Sequence, residues 1–257
     1  MTKLIFSVLF LIAFAGVNAQ QFVKLTGEKQ VLKVENLVAN ADDSISYTLD
    51  GNRWTAPKYS YDYARVPKPA EISAADKVLK KGNFVKAEKM YQIEFGKYKN
   101  LGWGIYCITG RAKALDKLGR VKEALIQIER IMGDVSPDPN LKKDLTAARL
   151  LYVDLLIKSK KYKAAAIQAE ALLASDDNNV VFTAFERKGD IALLQNDKKK
   201  AVREYLQACF LVTDHPRIPE LLYRVTILLK EMKDNRWKQF AAILKKQYPN
   251  SQYAKKI

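Results

Sequence analysis

The sequence is poor in the residues that build metal centres and catalytic triads. Its 257 residues include one histidine, His215, and two cysteines, Cys107 and Cys209. A zinc site needs several such ligands, so we expect no metal, and no motif suggests another cofactor. No nucleophile accompanies His215 in a triad-like context, so we expect no enzymatic activity. We interpret His215, which precedes a proline, as a surface or helix-capping residue.

The low numbers of cysteine, glycine and proline exclude further classes of protein. Small secreted domains that rely on disulfides carry more cysteines at tighter spacing. We therefore interpret Cys107 and Cys209 as small buried hydrophobic residues, with a single bridge as the alternative. Glycine and proline number only 11 and 8, which excludes a collagen-like chain and argues against disorder.

Long apolar runs are also scarce, since only residues 4–15 (LIFSVLFLIAFA) form one. Lys3 precedes this run, and Val17-Asn18-Ala19 follows it with small residues at the positions of a cleavage site. These are the three parts of a secretory signal peptide. We predict a signal peptide at residues 1–19 that is removed after Ala19, with an uncleaved anchor as the alternative. No later stretch is apolar enough to span a membrane after cleavage.

Residues 20–65 read as a small β module. Short alternating segments carry β-branched residues, and Asp50-Gly51 between two of them is a hairpin signal. We predict a small barrel of SH3-like type or a curled sheet. Tyr59, Tyr61 and Tyr63 alternate, which favours three rings on one strand face. They either cover the small core or form a platform on which a ligand stacks.

A proline-rich connector at residues 66–71 separates this module from a repetitive helical region at 72–257. Four windows of the helical region align: GNFVKAEKMY, GRVKEALIQI, KKYKAAAIQA and NDKKKAVREY. Their shared alanines are Ala87, Ala124, Ala165 and Ala201. A second apolar helical stretch lies upstream of each window, so each unit reads as helix, turn, helix. Another 36 residues lead to Trp237 in a degenerate fifth window.

This pattern resembles the tetratricopeptide repeat (TPR). The first unit carries Gly82, Phe84, Ala87 and Tyr91 at the family's small and aromatic positions, and the fourth carries Gly189, Ala201, Tyr205 and Ala208. The resemblance implies a mainly α superhelix of helical hairpins, with about four to five repeats. It departs from the family in its longer spacing, in Lys198 where an aromatic residue is expected, and in Trp237 where alanine is expected.

The resemblance also implies a concave groove, lined by the first helix of each unit, that receives a protein or peptide. Transferred by motif register, its positions fall on both charged and uncharged residues. They are Tyr106, Thr109, Lys113 and Lys117 in the second unit, Leu150, Asp154 and Lys158 in the third, and Glu186 and Asp190 in the fourth. An error of one residue would rotate a position by about 100° around its helix.

The excess of positive charge also bears on the function of the chain. The chain carries 44 Lys and Arg against 28 Asp and Glu. The β module is neutral, so the excess belongs to the helical region, where lysine clusters fall in the predicted inter-helix turns, along one edge of the array. The excess is either an ordinary solvated surface or a site for an anionic partner. Because the chain reads as secreted, we expect no nucleic acid.

Three functions stay open at this point. The first is a non-enzymatic scaffold that binds proteins in the bacterial cell envelope, with the periplasm as its location. The second is a basic adaptor on an anionic envelope polymer, such as lipopolysaccharide or an acidic glycan. The third is a self-assembling repeat protein. The envelope is favoured by the signal peptide and by the ending LKKQYPNS, which resembles the repeat junctions of outer-membrane assembly lipoproteins and of the Tol–Pal coordinator family.

Overall fold

A computed structural model describes residues 20–133 and 138–257 of the chain. The predicted signal peptide at residues 1–19 lies outside the described residues. The described part consists of an antiparallel sheet followed by a helical array. Within it, no helix combines the length and the apolar character that crossing a membrane requires.

The sheet has five strands in the spatial order β4-β3-β2-β1-β5. The strands are β1 Gln21–Leu25, β2 Leu32–Ala39, β3 Ile45–Leu49, β4 Asn52–Ala56 and β5 Tyr61–Arg65. Asp50 and Gly51 connect β3 to β4, both with positive φ, as the Asp-Gly signal predicts for a two-residue hairpin. The prediction of a barrel is wrong, because β4 and β5 form the two open edges of the sheet.

The sheet is held against the helical array by a short connection between two of its helices. This connection, Lys99–Trp103, is a kinked turn in which Leu101 and Gly102 leave the helical conformation, Gly102 with a φ of 83°. Its Leu101 side chain is buried in the sheet core with Val23 and Ile45. The Trp103 indole N–H donates to the carbonyl of Val66 at 2.9 Å. The sheet therefore completes its core with a residue of the array, as expected for a sheet too small to be stable alone.

Among the described residues, ten helices follow the sheet as five consecutive antiparallel hairpins. The first helices of the hairpins are α1 Ala70–Lys80, α3 Gly104–Lys117, α5 Leu141–Lys158, α7 Asn178–Leu194 and α9 Ile218–Glu231. The second helices are α2 Phe84–Tyr98, α4 Val121–Met132, α6 Tyr162–Leu172, α8 Lys198–Leu211 and α10 Trp237–Gln247. Each helix packs against the next along the chain. The mainly helical repeat architecture predicted from the sequence is thus observed.

The alanines of the four aligned windows occupy one structural position. Ala87, Ala124, Ala165 and Ala201 each stand fourth in their second helix, and each is fully buried. A methyl group at this position lets the two helices of a hairpin approach closely. Trp237 is not the fifth member of the set, because it begins α10, whose fourth residue is Phe240. The last hairpin therefore starts its second helix three residues later than the sequence spacing suggests.

Both cysteines and the histidine are packed inside the array. Cys107 and Cys209 are buried free thiols, and burial raises the pKa of each to about 12. His215 is not a surface residue, since its ring stacks on Phe182 with 3.6 Å between the ring centroids. Its Nδ1 accepts the backbone N–H of Arg217 at 3.2 Å, immediately before α9. It therefore supports the start of that helix.

Acid is expected to weaken the packing of His215. Burial, with a further contribution from Arg217, lowers the pKa of His215 below its ordinary value of 6.5. The neutral ring is therefore favoured in the fold, and its contribution to stability is complete above pH 6.5 and is lost as pH falls towards the lowered folded pKa. We expect the melting temperature of wild type to fall more between pH 7 and pH 5 than that of His215→Gln. Parallel pH profiles would contradict this expectation.

Candidate functional site

The first helices of the hairpins form one face of the array, which we call the groove. α1 contacts α3, α3 contacts α5 and α5 contacts α7, in addition to the contacts of each helix with its sequence neighbours. Stacked hairpins with this arrangement curve, and the first helices line the concave side. Side chains from three or four different hairpins therefore converge on a single surface.

Two cavities open on the groove. The first, of about 350 Å³, lies between α1, α3 and α5, and its lining includes Tyr91, Tyr106 and Asp144. The second, of about 450 Å³, lies between α3, α5 and α7, and its lining includes Leu151 and Arg187. Lys113 lines both cavities. The groove thus offers adjoining depressions that could each take a side chain of an elongated ligand.

A ladder of ion pairs joins successive first helices along the groove. In each pair a carboxylate of one helix meets a cation of the next first helix. The pairs are Asp116–Lys158 at 2.6 Å, Asp154–Arg187 at 2.6 Å and Asp190–Arg224 at 3.0 Å. The ladder neutralises most of the groove's acids internally and fixes the spacing between hairpins.

A hydrogen-bonded cluster surrounds Asp76 at the start of the groove. Its carboxylate accepts from Tyr91 Oη at 2.6 Å, from Tyr106 Oη at 2.9 Å and from Lys68 Nζ at 2.6 Å. Burial pushes the pKa of Asp76 upward, but these three donors outweigh it and lower the pKa below the ordinary value. Asp76 is therefore ionised and held in place. Asp190 occupies a similar position in the fourth hairpin, where it accepts from Tyr205 Oη at 2.7 Å.

Charges that the ladder does not neutralise remain in both cavities. Burial raises the pKa of Asp144, which lines the first cavity, despite the nearby cations of Arg65 and Lys68. Lys113 and Lys117 are exposed, and the second cavity is lined by both. Lys80, also exposed, lines the first cavity. The groove therefore presents three lysines and one desolvated carboxylate to a ligand, which is the mixed charge expected from the sequence.

The structure gathers most, but not all, of the residues transferred from the TPR pattern. Those that line the cavities are Tyr106, Thr109, Lys113, Lys117, Asp154, Lys158 and Asp190. Thr109 is buried there, and its hydroxyl donates to the Ile105 carbonyl at 2.7 Å, one turn back on the same helix. Its role in the groove wall is therefore mainly structural.

Leu150 and Glu186 lie away from the groove cavities. Leu150 packs against a cluster that includes Val153 and Ala169, and the cavity is lined by Leu151 instead. Glu186 is 2% exposed and pairs with Arg217 at 2.5 Å, while Arg187 faces the groove. For both Leu150 and Glu186, the residue that lines the cavity is the next one in the sequence. A shift of one residue rotates a position by about 100° around its helix.

The sequence analysis missed more than half of the groove residues, six of which carry its charge or form the ladder and the cavity walls. These six are Asp76, Asp116, Asp144, Leu151, Arg187 and Arg224. An available signal was the recurrence of an acid in one first helix and a cation 33 to 42 residues later, as the ladder pairs show.

A third cavity, of about 430 Å³, lies where the sheet meets the array. Tyr61 and Tyr63 line it together with Arg111 and Arg130. Tyr59 is not part of this lining, since it precedes β5 in a turn and is 83% exposed. The predicted row of three rings is therefore reduced to two, and Tyr61 Oη donates to the Asp43 carbonyl at 2.9 Å within the sheet.

The fold has relatives among solved structures, although no protein-family model and no curated protein sequence matches the chain. RapI in its apo form superposes with a TM-score of 0.62 at 13% identity, over 72% of this chain and 55% of RapI. MamA from Desulfovibrio magneticus RS-1 gives 0.54 at 16% identity, over 71% of this chain and 96% of that one. BtubC from P. vanneervenii gives 0.54 at 17% identity, over 70% and 82%.

The helical array is TPR-like. The antiparallel hairpins and the buried alanines in register are the features that the TPR resemblance implied. At these identities, likeness to solved structures establishes the fold of the TPR-like array alone.

Proposed function

We propose that this protein is a non-enzymatic scaffold of the bacterial envelope that binds a protein or peptide segment in its groove. The observation that carries the proposal is the pair of adjoining cavities, built by four hairpins and joined at Lys113. Pockets spaced along a rigid concave face suit an extended or helical segment, whose successive side chains would enter them.

The location in the envelope, with the periplasm as the compartment, is part of the same proposal. It is supported by the sequence of residues 1–19, which has the parts of a secretory signal peptide. The ending LKKQYPNS, shared with repeat junctions of envelope proteins, adds to it.

Self-assembly through the open end of the array is disfavoured by the packing of the last residues. Tyr253, Ala254 and Ile257 fold back against the cluster formed by α9 and α10. A terminal repeat needs such a cover to stay soluble when it has no neighbour. The described structure therefore supplies a cap where end-to-end stacking would need an open face.

The groove is tested by reversing the charge that both cavities share. We expect Lys113→Glu to weaken capture of the partner from envelope extracts by about tenfold, since it replaces an attraction with a repulsion at the centre of the site. Lys89→Glu is the matched control, because Lys89 is an exposed lysine of α2, a second helix. Equal capture by the wild type and by both variants would refute groove binding, provided that the melting temperatures agree.

A further inference from the structure

The two edges of the array differ sharply in charge. All five turns within hairpins lie at one edge, which we call the basic edge and define as residues 80–86, 117–122, 158–163, 194–200 and 230–238. These turns carry seventeen Lys and Arg against three acids, Asp197, Glu231 and Asp234. The fold thus brings the lysine clusters of the sequence into one continuous row along the basic edge.

The opposite edge is formed by the connections between hairpins, and it is not basic. Its described residues, 99–103, 138–140, 173–177 and 212–217, contain four acids and two cations. Both of these cations are engaged in ion pairs, Lys99 with Asp43 and Arg217 with Glu186. The positive charge of the chain is therefore concentrated on one side of the array.

Helix stability explains only some of the cations in the basic edge. Lysines at the end of a first helix, such as Lys80 and Lys117, complement the negative end of the helix dipole. Lysines at the beginning of a second helix do the opposite, because they add positive charge to the positive end of the dipole. The same position, second in the helix, is lysine in four second helices: Lys122, Lys163, Lys199 and Lys238.

These four lysines are exposed and lie where a helix is stabilised by acidic residues instead. α6 and α10 have no acid in the first turn, whereas α4 has Glu123 there and α8 is capped by Asp197. The lysine position recurs in four of the five second helices although helix stability does not favour it, which leaves these four side chains available to an anion outside the protein.

We propose that the basic edge docks this protein on an anionic lipid bilayer. The row extends over all five hairpins, about 40 Å at the usual spacing of packed helices. A cavity of about 590 Å³ opens on it between the last two hairpins, where Lys199 and Arg236 line it, but this cavity does not reach the first three hairpins. A row of exposed lysines that extends well beyond a single cleft suits a flat surface of anionic headgroups, because long flexible side chains can each reach a different lipid. A linear polymer would be better held by a groove lined with donors and rings.

Such docking would leave the groove cavities free for a protein partner, since Lys122, Lys163, Lys199 and Lys238 line neither of them. The two surfaces meet at Lys80, Lys117 and Lys158, which belong to the basic edge and also line the groove. It is also independent of the proposed scaffold function, because either surface could bind without the other. Exposed rings are scarce in these turns, and Trp237 is half-buried beneath Lys230. We therefore expect peripheral, salt-reversible binding without insertion.

The test uses the chain from Gln20 onward, which contains all of the described structure and omits the apolar run of residues 4–15. Co-sedimentation with phosphatidylcholine vesicles is compared with and without phosphatidylglycerol. The test variant replaces Lys122, Lys163, Lys199 and Lys238 with glutamate. The control variant makes the same change at exposed lysines away from the basic edge, namely Lys29, Lys33, Lys143 and Lys255.

The proposal predicts that wild type binds only the anionic vesicles, that the test variant binds at least about tenfold more weakly, and that the control stays within about threefold of wild type. The test variant should melt no lower than wild type, because glutamate suits a helix N-terminus. Equal losses in both variants, or no binding of wild type to anionic vesicles, would overturn the proposal. So would binding to soluble polyphosphate through these lysines without binding to vesicles.

Discussion

Gly189→Ala is expected to destabilise the protein by roughly 3 kcal/mol, the upper end of the usual cost of overpacking. A Cβ atom at this position would stand 2.3 Å from Cε1 of Tyr205. The Tyr205 ring cannot move aside, because it is fully buried and its hydroxyl donates a hydrogen bond to Asp190 at 2.7 Å. The free energy of unfolding from urea titration is the measurement.

A second glycine and a matched control sharpen this prediction. Gly110→Ala should behave in the same way, because its Cβ would lie 2.5 Å from the ring of buried Tyr91. Gly96→Ala should instead raise stability by about 0.5–1 kcal/mol, since alanine is the better helix former and the added methyl meets nothing within 4 Å. If all three changes had the same effect, close packing of helices against these tyrosines would be wrong.

Asp138→Ala is expected to cost about 3–5 kcal/mol, as breaking a buried ion pair usually does. The Asp138 side chain is fully buried and lies 3.0 Å from Nε of Arg65, which is itself 15% exposed. This pair joins the last strand of the sheet to the residues just before α5. Loss of the carboxylate would leave a buried guanidinium without that partner.

Two further variants test whether the Arg65–Asp138 pair stabilises the fold more than an exposed ion pair does. Asp176→Ala removes a partner of Lys142, but both side chains are largely exposed, so we expect no measurable change. Arg65→Met combined with Asp138→Ala should cost less than the sum of the single changes, because neither charge is then left alone. Additive costs would show that the pair does not couple the sheet to the array.

The repeat architecture could be predicted because its signals are local. Ala87, Ala124, Ala165 and Ala201 sit at one position of a short pattern, and each is fully buried as that pattern implies. The Asp50-Gly51 hairpin is similarly encoded within a few residues. Where a signal weakens, as at Trp237, counting residues alone misplaces the start of α10 by three positions.

Features that depend on contacts between residues far apart in the sequence could not be predicted from local patterns. The sheet stays open because its edge strands β4 and β5 do not pair with each other, while β5 pairs with β1, some forty residues earlier. Alternation within a strand does not reveal which strands pair. Leu150 and Glu186 were misplaced because a long helix tolerates a one-residue shift in hydrophobic register. The ladder pairs, such as Asp154 with Arg187, join helices that are a full repeat apart.

The central claim is that a protein partner lies in the groove. Site-specific photocrosslinking tests it most directly, with the crosslinking residue placed at Lys117 in the groove or at Ile167, which is 59% exposed on α6. The account predicts a crosslinked partner from position 117 and none from position 167. A partner captured only from position 167, or equally from both, would contradict it.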